Sequence, residues 1–191
     1  MAREGQAIPL NSETTRQFID YIGETRHPLR DKAIFLMGLK SGMRIGSIAQ
    51  ITLTDILSSK ATIKEVVILR KNITKGKKTV TAYLSHPELR EAIEAWLKVR
   101  PKSKEDNLFV SQNRTAFSPN SMSQLMGKHF ERAGLHGSSS HSLRRTFCTG
   151  LLKKGVDIVA VSKVMGHSSI LTTQRYVHHD QRELSEVVSQ L

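Results

Sequence analysis

Residues 141–176 have the sequence HSLRRTFCTGLLKKGVDIVAVSKVMGHSSILTTQRY, and this stretch determines how the rest of the chain is interpreted. Apolar residues recur at intervals of four after residue 140 and predict a helix that ends at Gly155. Asp157 is placed to cap a second helix, which Gly166 closes. A side chain that follows such a closing glycine can point away from the core and into a cleft.

Four polar residues of this stretch form a pattern that none of them carries alone. His141 and Arg144 stand three residues apart on the first predicted helix and therefore share one of its faces. His167 follows Arg144 by 23 residues, and Tyr176 follows His167 by 9. Each residue by itself is usually a surface or packing residue. Together they are the groups needed to cleave a phosphodiester with a protein nucleophile and no metal.

A second arginine, Arg44, is a candidate for binding the same phosphate. Attack on a phosphodiester adds negative charge to its non-bridging oxygens, and preorganised cations stabilise that charge. Arginine suits these oxygens because its planar guanidinium donates paired hydrogen bonds and stays charged. Arg44 lies in Gly42-Met43-Arg44-Ile45, where a predicted helix over about residues 29–40 has stopped and a third helix begins. We therefore expect Arg44 and Arg144 to bind one phosphate.

The composition favours DNA as the source of that phosphate. Lys and Arg number 29 and Asp and Glu 17 among 191 residues, which gives a net charge of +12. Such a field favours polyanions, and nucleic acid fits a cytosolic protein better than a membrane surface does. No run approaches the ~20 apolar residues of a membrane span, and the N-terminus lacks the apolar stretch of a signal peptide. Cys148 is the only cysteine, so no internal disulfide or cysteine-rich zinc site can form.

The rest of the sequence predicts helices with one short β-rich interruption. β-branched residues at 65–69 and 79–84 flank Lys75-Gly76-Lys77-Lys78, which predicts a hairpin with a basic turn. Leu108 to Ser111 is a candidate short strand. Further helices are predicted from Asn11 or Ser12, from Ser85 or Pro87 to Val99, from Ser118-Pro119 to Ala133, and at about residues 172–177 and 182–188.

In order, residue type and spacing, Arg44, His141, Arg144, His167 and Tyr176 resemble the tyrosine recombinases, the phage integrase family. The resemblance is to the catalytic domain and spans about residues 10–191. It implies a mixed α/β fold that is mainly helical, with a small antiparallel sheet. It also implies a site-specific recombinase that integrates, excises or inverts double-stranded DNA without a cofactor.

The resemblance assigns a role to each of these residues. Tyr176 would be the nucleophile, which forms a 3′-phosphotyrosine and releases a 5′-hydroxyl. A free tyrosine has a pKa near ~10, so its attack at neutral pH needs surrounding positive charge and a proton acceptor. His141 would be that base or a phosphate ligand, and His167 a donor that braces the phosphate. No ATP or metal is needed for rejoining, because the phosphotyrosine keeps the bond energy.

Three lysines of the predicted hairpin and one serine complete the comparison with the family. Lys75 matches the hairpin-turn lysine that protonates the leaving group, and Lys77 and Lys78 are alternatives. If they are not the general acid, Lys77 and Lys78 are expected to contact the DNA backbone, and the same contact is expected of Arg145. Members of the family often have an acidic residue three positions after the first arginine, where this chain has Ser47. We expect altered support for that arginine rather than inactivity.

The resemblance also implies an organisation for the chain. It divides into an N-terminal extension or linker remnant (1–10), a catalytic domain (11–180) and a C-terminal tail helix (181–191). In recombinases such a tail packs in trans on a neighbouring subunit, which implies a homo-oligomer: a tetramer on DNA, weakly associated or monomeric off DNA. Most relatives have a separate DNA-clamping domain, whereas about ten residues precede the catalytic domain here. We expect a cytoplasmic, nucleoid-associated protein.

Two other functions remain open at this point. A type IB topoisomerase uses similar residues and the same phosphotyrosine, although the short chain and its tail argue against it. A non-catalytic DNA-binding regulator derived from the family should have lost catalytic residues, and these are all present. A metal site is disfavoured, because the adjacent His178 and His179 would point about 100° apart on a helix and no cysteine pair accompanies them.

Overall fold

A computed structural model describes residues 7–176, in which helices dominate and two strands form one small sheet. In chain order the elements are α1 (Ser12–Gly23), α2 (Pro28–Ser41), α3 (Ile45–Gln50), α4 (Leu53–Ile56), β1 (Val66–Leu69), a 3-10 turn (Lys71–Ile73), β2 (Val80–Tyr83), α5 (Pro87–Val99), α6 (Pro119–Arg132), α7 (Ser140–Lys153), α8 (Ile158–Val164) and α9 (Ile170–Gln174). No helix in this described part has the length and apolar character needed to cross a bilayer. The tail helix predicted at 182–188 lies outside the described residues.

Helix α2 is the centre of the core. Ten of its fourteen residues are buried, so it packs against neighbours on several sides. The ring of Phe18 in α1 lies 4.5 Å from that of Phe35 in α2 and 4.3 Å from that of Phe130 in α6, measured between centroids. On another side Leu143 of α7 lies directly over Gly38, where a Cβ would be 2.7 Å from its Cδ1. The helix that carries two predicted site residues is thus packed closely on α2.

The predicted helix ends are confirmed where the local sequence supplies a cap. Asn11, rather than Ser12, caps α1: its side chain accepts the Thr14 N–H at 2.8 Å. The hydroxyl of Ser118 caps α6 in the same way. At the other end of α2, Gly42 adopts a left-handed φ of 65°, which turns the chain towards α3.

The predicted antiparallel hairpin is confirmed: β1 begins one residue later than predicted and ends at Leu69 as predicted, and β2 is one residue shorter at each end. Val66 pairs with Tyr83 and Leu69 with Val80. The connection between them is longer than a tight turn and contains the 3-10 turn before the basic residues. Gly76 and Lys77 both have positive φ, so the basic run makes a sharp turn of its own.

Two local predictions differ from the structure. Leu108 to Ser111 does not form a strand, and only isolated bridges involve this region. This apolar run belongs to the hydrophobic core, where Leu108 is fully buried. The Leu108 N–H donates to the Ile51 carbonyl, and the Leu108 carbonyl accepts the Trp96 indole N–H at 2.9 Å. The helix predicted at 172–177 begins earlier, at Ile170, because the Ser169 side chain caps it.

Gly42 offers a test of how closely α2 and α7 are packed. Its φ of 65° disfavours a side chain, and a Cβ there would also meet the ring of Phe147. Gly42→Ala should therefore lower the free energy of unfolding by about 1–2 kcal/mol for the backbone and by a further ~1–3 kcal/mol for overpacking. Urea denaturation followed by circular dichroism measures the sum.

Gly155→Ala is the matched control for this variant. Gly155 also has a positive φ, of 77°, but nothing lies within 4 Å of a Cβ there. Only the backbone cost of about 1–2 kcal/mol is expected. Equal losses in the two variants would show that the contact with Phe147 contributes nothing.

Candidate active site

The guanidinium of Arg144 is buried between the ends of two helices. Its Nη1 donates to the carbonyl of Gly42, just past the end of α2, and its Nη2 donates to the carbonyl of Met165, at the end of α8. Carbonyls at a helix C-terminus lack intrahelical partners and carry partial negative charge. They hold Arg144 in place without a carboxylate. Two of its five N–H donors are used in this way, and three remain for other partners.

Arg44 comes close to the same position from α3. It is the residue before that helix, and its Nη2 lies 3.4 Å from the carbonyl of Gly166. Burial and, to a smaller extent, the charge of Arg44 lower the pKa of Arg144 to about 9. Both side chains nevertheless stay charged near pH 7. Within residues 7–176 no Asp or Glu forms an ion pair with either one, so two adjacent cations face a site suited to an anion.

Four of the predicted residues line one cleft of about 330 Å³. Arg44 and Arg144 form one side, His141 at the start of α7 lies beside them, and Lys75 reaches it from the turn between the strands. His141 and Lys75 are exposed to solvent. Residues 44, 75, 141 and 144 come from three parts of the chain (the start of α3, the connection between the strands, and α7), and the fold brings them together.

His167 enters the same site from the loop after α8. Its Nδ1 lies 2.8 Å from the hydroxyl of Thr173, a fully buried residue of α9. Burial, with the charges of Arg144 and Arg44, lowers the pKa of His167 to about 4. The ring is therefore neutral near pH 7 and has one N–H donor and one acceptor nitrogen.

Tyr176 lies two residues beyond α9, and its ring contacts two polar side chains. The ring of His167 stacks on it, with 6.1 Å between centroids and 16° between planes. The guanidinium of Arg145 lies over it at 5.7 Å from the centroid. Tyr176 also packs on a small cluster beneath the site, made of Cys148, Val161 and Met165. A negative charge on its oxygen would favour the charged forms of both Arg44 and Arg144.

The weaker DNA-contact candidates have different surroundings. Lys77 and Lys78 are exposed on the turn that carries Lys75. Arg145 is only 8% exposed and donates to the carbonyl of Ala7 at 3.1 Å, in addition to its contact with Tyr176. Its contact with DNA stays a prediction, and its contacts within the protein point to support of the tyrosine ring.

Sequence reasoning did not predict the contacts of two hydroxyl side chains that touch this site. One is Thr173, which bonds to His167; a hydroxyl six residues after a histidine is too common a pattern to predict such a contact. The other is Ser47, whose Oγ donates to the carbonyl of Ile73 at 2.7 Å. Its unusual place after Arg44 was a signal, but the partner could not be read from the sequence.

Comparison with known proteins agrees with this geometry. The phage integrase family model matches residues 9–183 of the chain. A tyrosine recombinase XerC from Caldanaerobacter subterraneus is 37% identical over 166 residues, which are 84% of this chain and 44% of that protein. The XerC from Alcanivorax borkumensis is 32% identical over 194 residues, which cover 97% of this chain and 61% of that protein. The chain therefore spans about half of the curated relatives that it matches.

Solved structures show the same fold. The crystal structure of XerA recombinase superimposes with a TM-score of 0.76 at 25% identity, over 98% of this chain and 66% of that one. The XerH site-specific recombinase bound to its difH substrate has a TM-score of 0.74 at 23% identity, over 99% of this chain and 55% of that one.

The neutral state of His167 can be tested by its titration. Its folded-state pKa of about 4 lies below the ordinary 6.5, so folding favours the neutral ring. The resulting contribution to stability is fully present above about pH 6.5 and is lost as the pH falls through about 4. NMR titration of the imidazole signal that disappears in His167→Gln should give a midpoint near 4.

The same titration in Arg44→Gln separates the causes. Burial is the largest cause and remains, but one neighbouring charge is gone, so the pKa of His167 should rise towards its ordinary value. A wild-type midpoint at or above 6.5 would contradict the described surroundings of the ring.

Proposed function

The chain belongs to the phage integrase family, and we propose that it is the catalytic part of a site-specific DNA recombinase. One observation carries this proposal most directly. Arg44 and Arg144 face one cleft without a carboxylate partner among the described residues, and Tyr176 lies beside them. A site with two fixed cations and a tyrosine hydroxyl suits attack on a phosphodiester.

In this proposal the two arginines bind the non-bridging oxygens of the scissile phosphate. They are held by backbone carbonyls, so they need not reorganise when charge develops on those oxygens. His167, neutral near pH 7, donates one further hydrogen bond. Its Nδ1 is held by Thr173, which sets the direction of the ring.

The covalent step transfers the 3′ phosphoryl group to Tyr176. The bond from the tyrosine oxygen to phosphorus forms while the bond from phosphorus to the 5′ oxygen breaks. The tyrosine proton passes to a base, for which His141 is placed in the cleft, and the leaving 5′ oxygen takes a proton from Lys75. Attack by a 5′-hydroxyl on the phosphotyrosine reverses the step and joins the strands.

We further propose that four copies assemble on two DNA duplexes and associate weakly without DNA. Support comes from the family and from the need to exchange strands between two sites. The tail at residues 181–191, for which we propose docking on a neighbouring copy, lies outside the described residues. Action on DNA implies a cytoplasmic protein associated with the nucleoid. Exchange of strands between two labelled duplexes distinguishes this function from a type IB topoisomerase, which relaxes one duplex.

The nucleophile is tested by Tyr176→Phe. Only the attacking oxygen is removed and the cationic cleft is kept, so DNA binding should change little while covalent adduct formation is abolished. Nicked duplex DNA with a candidate site is mixed with the protein, denatured and resolved by gel electrophoresis. Tyr83→Phe, at an exposed tyrosine of β2, is the matched control and should form the adduct at normal yield. A normal adduct in Tyr176→Phe would refute the assignment.

The general acid is tested with DNA in which sulfur replaces the bridging 5′ oxygen. A 5′-alkoxide needs a proton as it leaves, whereas a 5′-thiolate leaves without one. Lys75→Ala should cleave ordinary DNA about 10²- to 10⁴-fold more slowly and recover much of its rate on the sulfur substrate.

Lys77→Ala and Lys78→Ala are the controls for this experiment. Both lysines are exposed on the same turn, and their loss should weaken DNA binding without selective recovery on sulfur. Recovery in either of them instead of Lys75→Ala would move the general acid along the turn.

A further inference from the structure

The connection that carries Lys75 is tied to α3 by one buried hydrogen bond. Ser47 lies in α3, three residues after Arg44, and is 4% exposed. Its Oγ donates to the carbonyl of Ile73 at 2.7 Å. Ile73 ends the 3-10 turn after β1 and precedes Lys75 by two residues. The helix that begins beside one phosphate-binding arginine is thereby joined to the loop of the leaving-group lysine.

The segment between this bond and Lys75 is itself well ordered by hydrogen bonds. The hydroxyl of Thr74 lies 3.1 Å from the Lys71 carbonyl and 2.5 Å from the Lys78 carbonyl, so it spans the turn. The N–H of Lys77 donates to the Thr74 carbonyl at 3.3 Å. We therefore expect a shift at Ile73 to move the turn as a unit.

We propose that Ser47 is a positioning residue for the general acid: its bond to the Ile73 carbonyl sets where the Lys75 ammonium stands relative to the phosphate bound at Arg44. The inference rests on the proposed function. It differs from the expectation drawn from the sequence, in which the change at this position alters the support of Arg44.

The chemistry of the contact explains why a serine suits this chain. The group opposite position 47 is a carbonyl oxygen, which accepts a hydrogen bond and cannot donate one. A serine hydroxyl supplies the proton. An ionised carboxylate at this buried position would place its negative charge against the carbonyl oxygen and would be repelled. The acidic residue often found here in the family therefore does not fit the loop of this chain.

Ser47→Ala tests the proposal because it removes the donor and little volume. Cleavage of ordinary DNA should slow by about ten- to a hundredfold, as expected when a catalytic group is displaced by a fraction of its reach. On DNA with a 5′-bridging sulfur the rate should be close to that of the wild type, because no proton is needed there. DNA affinity should change little. Ser47→Thr, which keeps a hydroxyl, should cleave ordinary DNA at close to the wild-type rate. Ser47→Asp should be as slow as Ser47→Ala.

Ser41→Ala is the matched control. Ser41 is equally buried, at 3%, and its hydroxyl also donates to a backbone carbonyl, that of Met37 at 2.6 Å, but within α2 and away from the loop. Any effect of its loss should be equal on the oxygen and sulfur substrates. Ser47→Cys, with a weak S–H donor of similar size, serves as a second variant if Ser47→Ala unfolds under assay conditions. It should show a smaller defect that sulfur again removes.

The possible failures are distinguishable. If Lys75→Ala recovers on sulfur and Ser47→Ala loses the same rate on both substrates, only the positioning role is overturned. If Lys75→Ala does not recover, the general acid lies elsewhere and the role of Ser47 is overturned with it. The double variant completes the test, since the two losses on ordinary DNA should not add when both act through one proton transfer. Additive losses would overturn the coupling.

Discussion

The carbonyl groups at the ends of α2 and α8 hold the guanidinium of Arg144, and the rest of the site depends on this contact. A carboxylate could hold an arginine more strongly, but it would neutralise the charge that the phosphate needs. Backbone carbonyls fix the side chain and leave it a net cation. The arrangement requires two helices to end at one point, and it therefore requires left-handed turns at Gly42 and Gly166, from which Arg44 and His167 continue into the cleft.

The site separates charged from neutral donors by their surroundings. Arg44 and Arg144 keep their charge near pH 7 in spite of burial, whereas the same burial and the two arginines keep His167 neutral. A charged imidazole beside the two buried arginines would add repulsion in the unliganded protein, whereas a neutral imidazole adds a donor without it. The ring of Tyr176 contacts both this imidazole and the guanidinium of Arg145, so two neighbouring side chains orient it.

Most of the fold could be predicted because its signals are local, whereas the six main site residues were picked out by their order and spacing along the whole chain and by the resemblance to the family. Caps such as Asn11 and Asp157, the glycines that end helices, and the three-residue spacing of His141 and Arg144 all lie within a few residues of what they determine. The absence of a strand at Leu108 to Ser111 could not be predicted, because partners far along the chain decide whether a buried apolar run pairs in a sheet or packs as a loop. The same holds for the hydroxyl of Ser47, whose acceptor is 26 residues away, and for that of Thr173.

The small apolar cluster beneath Tyr176 has a consequence of its own. Cys148, Val161 and Met165 form a group separate from the large core around α2, and it is this group on which the tyrosine packs. Local opening of α8 and α9 exposes far less apolar surface than unfolding of the main core, so it has a lower free-energy cost. Tyr176 thus rests on a minor apolar group, and we expect local opening of that group to displace it while the main core and Arg44 stay folded. The heat and denaturant tolerance of any activity that needs Tyr176 is then expected to be set by this minor group rather than by the bulk of the protein.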